Sequence, residues 1–379
     1  MLSLIPLALY IHFPWCTSKC PYCDFNSYAK TKDPIPEADY IAALKQDLKN
    51  DLEKVQGRKL VSIFMGGGTP SLFSPDHIAD LLAYIHQHIG FEKNIEITLE
   101  ANPESLDYEK LIGYRAAGVN RISIGVQSFN VDQLKKLGRA HNSAQAFAAI
   151  TAVQKAGFTN YNIDLMYGLP KQTVEEALSD LQEALQFSPK HLSWYHLTLE
   201  PNTVFYNSPP KHLPSDSRLI EIEKNGREYL ASKNLQRYEI SAYARPGLHA
   251  RHNCNYWEFG DYLGIGAGAH GKITHPDHIE RLWKQRTPLK YLNKESNFIG
   301  GQKILNAHDL KLEFLMNGLR LINGVPKHLF SERTGLNILE LESELKSLQK
   351  ENLLIDGDAR IQLTQQGQLF LDEILTRFV

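Results

Sequence analysis

Cys16, Cys20 and Cys23 lie in the run Tyr10-Ile-His-Phe-Pro-Trp-Cys-Thr-Ser-Lys-Cys-Pro-Tyr-Cys, a C-x3-C-x2-C spacing. Three thiolates on one short loop can hold three corners of a cubic iron–sulfur cluster. Such clusters normally take four cysteines, and no fourth lies in this stretch. One iron is then left open to a small molecule, as an open position marks a catalytic rather than a structural metal. Two other readings compete. Disulfides are disfavoured by only four cysteines in 379 residues. Structural zinc could take His12 or Cys254 as a fourth ligand, but zinc sites usually come as two spaced pairs.

Other runs carry chemistry of their own. Gly66-Gly67-Gly68-Thr69-Pro70 lacks the Gly-Lys-Ser/Thr of a phosphate loop. Three glycines in a row let backbone approach a ligand with no Cβ in the way, although a tight turn would need one of them. Glu100 and Asp164 suit sugar hydroxyls or an amino group, or else ion pairs with a nearby cation. Gln127 could bond a carboxylate or a ribose; Arg139 could grip a carboxylate bidentately or sit solvated on the surface. His252-Asn-Cys-Asn-Tyr-Trp257 could hold a planar aromatic ligand with His252 as axial iron ligand, or be a packed segment with a hydrogen-bonded histidine. The glycine-rich run from Gly264 to Gly271 is only superficially a dinucleotide fingerprint; it reads as backbone lying close to a ligand or to another strand.

These residues need elements to hold them. Apolar runs at Leu7–His12, Leu60–Met65, Ile95–Leu99, Arg121–Val126, Tyr161–Met166 and His191–Leu197 read as strands. Amphipathic stretches between them read as helices, clearest at Ala38–Val55, then Pro75–Ile89, Tyr108–Ala117, Ala144–Ala156 and Val174–Phe187. Thr173 with Glu176 forms a capping-box signature for the last. Alternation of this kind predicts an α/β fold with a parallel sheet, taken here as a partial (β/α)6 TIM-like barrel. Tyr10, the glycine run, Glu100, Gln127, Asp164 and His196 would then share the C-terminal rim, where such folds place their sites. The expected division is a core over 1–200, an α+β extension over 201–300 that completes the barrel and carries the His252 patch, and a small winged-helix-like domain over 301–379.

Composition narrows the function. Net charge is −2, and residues 300–379 hold nine Lys+Arg against eleven Asp+Glu, so nucleic acid is not an expected partner even for a winged-helix shape. The apolar start lacks the basic region and cleavage site of a signal peptide and runs straight into Cys16. No apolar run reaches the roughly 20 residues of a membrane helix. A cytoplasmic location is the expectation.

The C-x3-C-x2-C loop with Tyr22 before its last cysteine, followed by Gly-Gly-Gly-Thr-Pro, resembles the radical SAM superfamily. With Tyr10-Ile-His-Phe-Pro, Glu100, Gln127, Arg139 and Asp164, the chain is similar to the branch related to oxygen-independent coproporphyrinogen III dehydrogenase, and most to its heme-chaperone group. The resemblance implies that Cys16, Cys20 and Cys23 ligate a 4Fe-4S cluster whose fourth iron is chelated by S-adenosylmethionine. It implies that Tyr10, Gly67, Gly68, Thr69 and Glu100 line the S-adenosylmethionine site, and that Gln127, Arg139 and Asp164 match positions serving a second such molecule in the dehydrogenase. It implies heme as cargo, His252 as a candidate heme contact, and acceptor proteins that include membrane respiratory enzymes, with peripheral membrane association through them and homodimerisation left open. Two departures tell against the alternative, oxidative decarboxylation of coproporphyrinogen III by a 5′-deoxyadenosyl radical. Phe25 stands where the dehydrogenase has a further cysteine, and only fifteen residues precede Cys16.

Overall fold

The structure is a computed structural model, and it describes residues 5–30, 33–293 and 297–378. Its centre is six parallel strands taken in chain order: β1 (Leu7–Phe13), β4 (Leu60–Gly67), β5 (Phe91–Ala101), β6 (Arg121–Gln127), β7 (Tyr161–Tyr167) and β8 (His191–His196). Two short strands, β2 (Trp15–Cys16) and β3 (Tyr28–Ala29), pair with each other and brace the two ends of the cysteine loop. Each new central strand adds to the same side of the last. A doubly wound sheet reverses direction at a switch point; winding in one sense produces a barrel wall.

Helices fill the crossovers: α1 (Glu37–Asn50), α2 (Pro75–His88), α3 (Tyr108–Ala116), α4 (Val131–Lys136), α5 (Ser143–Lys155) and α6 (Val174–Gln186). The capping box expected at Thr173 is formed, with Glu176 closing it. The helix expected over Ala38–Val55 is shorter. It ends at Asn50, and Leu52–Val55 follows as a 3-10 turn. The cause is tertiary: the Asp51 carboxylate accepts from Lys284 Nζ at 2.5 Å, deep in the protein.

After α7 (Val204–Asn207) and α8 (Asp216–Ser232), the chain extends both edges of the sheet. The short β9 (Gln236–Arg237) and β10 (Ala242–Ala244) add antiparallel to β8. The helix α9 (Arg251–Trp257) leads into β11 (Asp261–Ile265), which pairs parallel with β1, followed by antiparallel β12 (His270–Thr274), β13 (Ile279–Lys284) and β14 (Ile299–Ile304). Among the described residues the twelve-stranded sheet therefore runs as an open arc from β14 to β9.

One apolar core fills the barrel wall, with Leu9, Ile63, Leu99, Ile124, Ile163 and Leu192 from successive strands. A second core, around Phe314, Phe330, Leu341 and Leu354, packs the C-terminal helices against Phe259 and Ile279. A two-stranded wing, Val325–Pro326 with Arg360–Ile361, completes that module. No helix of the described residues is long and apolar enough to cross a membrane.

Candidate functional site

Strand register decides what faces the barrel's mouth. Alternate residues of a strand share a face, so Ser123, Gly125 and Gln127 of β6 line one cavity, joined by Asp164 from β7 and by Ser193 and Tyr195 from β8. Cys16, Cys20 and Cys23 enter the same cavity from the loop after β1, and Gly67, Gly68, Glu100 and Asn102 from the ends of β4 and β5. The cavity is about 350 Å³, within the usual range for small-molecule sites.

All three thiols are free, and they interact with one another electrostatically. Their surroundings suit a metal cluster. Arg139 Nη1 lies 3.6 Å from Cys20 Sγ, and Ser27 Oγ lies 3.6 Å from Cys23 Sγ. Burial pushes the Cys16 and Cys23 thiols above their ordinary pKa, so loading a metal must release protons. The donor set therefore fits a three-thiolate cluster site. Neither proposed zinc partner joins it. His12 bonds Tyr10 Oη through Nδ1 and the Asn26 carbonyl through Nε2. Cys254 packs instead against Tyr238, Ala242 and Ala244.

Opposite the thiols sits a carboxylate pair. Glu100 Oε2 accepts from Gly67 N at 3.2 Å, while Asp164 accepts from Asn162 and Ser123 at 2.7 and 3.1 Å. Burial, with the charge of Asp164 adding to it, pushes Glu100 up to about 8. A carboxyl raised this far is poised to gain from a cationic ligand beside it. Arg139 is held across the site, with Nη2 donating to Asn102 Oδ1 at 2.5 Å and to the Gly125 carbonyl at 2.7 Å. Tyr195 donates to Gln127 Oε1 at 2.6 Å.

Three expected residues lie outside this lining. Tyr10 bonds His12 and stacks on Phe64. Thr69 is buried behind the cavity, accepting from Asn102 Nδ2 at 2.8 Å. His252 is 1% exposed on α9, where Nδ1 pairs with Ser62 Oγ at 3.0 Å and Nε2 with Tyr256 Oη at 2.9 Å. Both ring nitrogens are thus engaged within the protein. The rest of its patch is likewise absorbed by the fold: Asn255 donates to the Asp261 carbonyl, and Trp257 lies under the Arg320 guanidinium.

The glycine run is also crowded by neighbouring protein. A Cβ on Gly66 would meet Glu100 Oε2 at 2.8 Å, one on Gly67 the His12 ring at 2.4 Å, and one on Gly68 the Trp15 carbonyl at 2.5 Å. Neighbouring protein by itself demands the bare backbone, and Gly67 further requires its φ of 109°. Gly68→Ala is expected to destabilise the protein by about 1–3 kcal/mol through overpacking against fixed backbone. Urea unfolding measures this, and a midpoint equal to wild type would refute it.

Sequence reading missed Ser123, Gly125, Ser193, Tyr195 and Ser241. For the first four the signal was present as alternating small and polar residues on β6 and β8, inside runs otherwise read only as apolar; Ser241 lies between β9 and β10, outside any such run.

Comparison with known proteins follows the same outline. Residues 10–184 match the sequence model of the Radical SAM superfamily, and residues 305–370 that of the HemN C-terminal domain. The heme chaperone HemW of Haemophilus influenzae is 50% identical over 384 residues, covering 100% of this chain and 99% of its own. The heme chaperone HemW of Escherichia coli is 45% identical over 380 residues and 100% of both chains. Among solved structures, coproporphyrinogen III oxidase (HemN) from Escherichia coli, a radical SAM enzyme, superposes with a TM-score of 0.82 at 25% identity, covering 99% of this chain and 90% of that one.

Proposed function

This chain belongs to the HemW family of heme chaperones within the radical SAM superfamily, and from that premise we propose that it binds heme and hands it to acceptor proteins. The observation that carries the cofactor side of this reading is the convergence of three free thiols and two half-buried carboxylates on one cavity. Cys16, Cys20 and Cys23 would hold a 4Fe-4S cluster. With S-adenosylmethionine bound as well, such a cluster would supply one-electron chemistry.

The chain's own residues have separable tasks. Glu100 and Asp164 would balance the positive charge of S-adenosylmethionine in a buried setting, where an unpaired charge is costly. Gly67 N, which donates to Glu100, fixes that carboxylate's orientation. Arg139 and Gln127 are held by Asn102 and Tyr195 and would bond the ligand's acceptors and donors. Phe25, 62% exposed, lines the cavity's mouth beside the thiols. It stands at the position of the dehydrogenase's further cysteine, which favours the chaperone over coproporphyrinogen decarboxylation. Membrane respiratory enzymes as acceptors, and a homodimer, belong to this proposal as its finer parts.

The decisive experiment reconstitutes the protein anaerobically and offers heme and coproporphyrinogen III side by side. Heme uptake with a Soret band, transfer to an apo-acceptor and no decarboxylated product are the expected results. Product formation without stable heme binding would reverse the assignment to the dehydrogenase.

A pH dependence follows from Glu100. Its folded-state value of about 8 lies above its ordinary 4.5. The ligand-free folded protein therefore keeps a proton the unfolded chain has lost, and its stability falls as pH rises through that window. A cationic ligand needs the ionised form. S-adenosylmethionine affinity is expected to rise by up to about tenfold per pH unit on approach to about pH 8 and to level above it. In Glu100→Gln the profile should flatten; calorimetric titration across pH measures both, and a steep profile in the variant would refute the role.

A further inference from the structure

The hairpin between β12 and β13 carries a group of donors with no part in the cluster site. We propose that His275, His278 and Glu280 form a zinc site, with Asp277 orienting one of the histidines. The inference stands apart from the heme-chaperone reading, and neither needs the other.

Strand register builds the group. Thr274 pairs with Ile279, and His275 N donates to the His278 carbonyl at 2.8 Å, so the two histidines close the hairpin opposite each other. Cross-strand partners share a face, and so do alternate residues along a strand. Glu280 therefore joins His275 and His278 on one face. Pro276, in the turn between them, restricts the backbone. The ligating atoms of the three side chains lie within 4.8 Å of one another. The side chains of His275, Glu280 and His278 are 22%, 12% and 30% exposed, so an ion could enter without opening the fold.

The hydrogen bonds already have the form of a metal site. His275 Nε2 lies 3.0 Å from Glu280 Oε1, and His278 Nδ1 lies 2.8 Å from Asp277 Oδ1. An ionised carboxylate only accepts, so both ring nitrogens donate. At metal bonds of about 2.0–2.2 Å, two ligands of a tetrahedral ion stand roughly 3.3–3.6 Å apart. Zinc could thus take the place of the proton between His275 and Glu280, with His275 then carrying its hydrogen on Nδ1. A metal-bound histidine is commonly held by a carboxylate at its other nitrogen. Asp277 does this for His278, whose Nε2 meets no hydrogen-bond partner among the described residues. The two rings stack 4.5 Å apart and 13° from parallel. A shared ion requires one of them to turn about its Cβ–Cγ bond, a soft torsion. Two imidazoles and a carboxylate, with water in the fourth position, suit zinc; calcium and magnesium prefer oxygen ligands throughout.

The site lies where the sheet meets the C-terminal module. Ile279, between two of the ligands, belongs to the module's apolar core, and Arg281, next to Glu280, bonds Glu313. Bound zinc would brace the strand that makes both contacts. It would do so away from the cluster. Thr274 N donates to Asp261 at the start of β11, whereas the cysteine loop leaves the far end of the parallel strand β1.

Zinc titrated calorimetrically into the full-length, cluster-loaded protein tests this, with unchanged cluster absorption showing that the cysteines are not the acceptor. Wild type is expected to bind a single zinc ion per chain at micromolar concentration, and saturating zinc to raise its melting temperature. His275→Ala/His278→Ala should lose both effects. Glu280→Gln should weaken binding at least about tenfold, and Asp277→Asn about tenfold without abolishing it. His328→Ala, at an exposed histidine elsewhere, should match wild type. Melting without zinc checks that each variant folds, and the milder His278→Gln supplies the same test should the double variant not fold. Wild type that binds zinc only at millimolar concentration, or histidine variants that bind it as wild type does, would overturn the site. Heme uptake would be untouched by either result.

Discussion

Cys20→Ala protein is expected to leave anaerobic reconstitution with under about a tenth of the wild-type iron and acid-labile sulfide. Disturbing residues that merely orient metal ligands already costs 10–100-fold in affinity, and removal of one of only three thiolates costs more. Cys20 is the informative choice because its sulfur is the one facing Arg139, which donates to it at 3.6 Å and also to Asn102 and Gly125. The same change therefore unties the loop from the strand ends that line the cavity. Cys16→Ala and Cys23→Ala should behave alike, whereas Cys254→Ala should load a full cluster, since Cys254 packs in a separate apolar group. Iron and sulfide analysis decides. A Cys20→Ala protein with stoichiometric iron, or a Cys254→Ala protein without it, would end the three-thiolate assignment.

Lys284→Met is expected to lower folding stability by about 3–5 kcal/mol, the usual cost of leaving buried charges without their partner. Lys284 Nζ bridges Asp47 Oδ1 at 2.6 Å and Asp51 Oδ2 at 2.5 Å, with all three side chains essentially dry. Burial already pushes the Asp47 carboxyl above its ordinary pKa even with the cation in place. The effect should reach the site. Asp47 Oδ2 also accepts from Tyr291 Oη and Gly266 N, Tyr40 accepts from Ala267 N, and the Ala267 carbonyl accepts from Asn26 just past the last cluster cysteine. A loosened β13 edge is thus expected to weaken the hold on the cysteine loop and slow cluster retention in air. Urea unfolding gives the stability, and loss of cluster absorption over time gives the second effect. A loss below about 1 kcal/mol would show that the pair contributes little beyond its own desolvation.

Much of this fold was legible because its signals are local. Each of the six expected strands is present, with ends shifted by a few residues, since an apolar run bounded by turns specifies extended chain whatever it later packs against. The lengthening of Ile95–Leu99 to Phe91–Ala101 is the exception that shows the limit. Glu92, Lys93 and Asn94 carry no apolar signal, and they lie in the register irregularity between the Leu60–Phe91 and Ser62–Glu96 pairs. The rim position of Glu100 and Gln127 was also local, because each lies at the end of a strand whose direction is set by the alternation with helices; Asp164 instead lies mid-way along β7.

The sequence by itself determined the thiol trio, the barrel that presents it and the polar strand ends around it. Tertiary structure alone decided which side chains remain available there. His252 looked free as a residue type, yet it closes a bond to Ser62, 190 positions away. The glycines after β4 line the cavity, and they also leave room for His12 and Trp15. Helix α1 stopped short because Asp51 is needed 233 residues further on, at Lys284. Local pattern encodes backbone direction and burial; whether a given nitrogen or carboxylate is already spent depends on residues brought together only by folding.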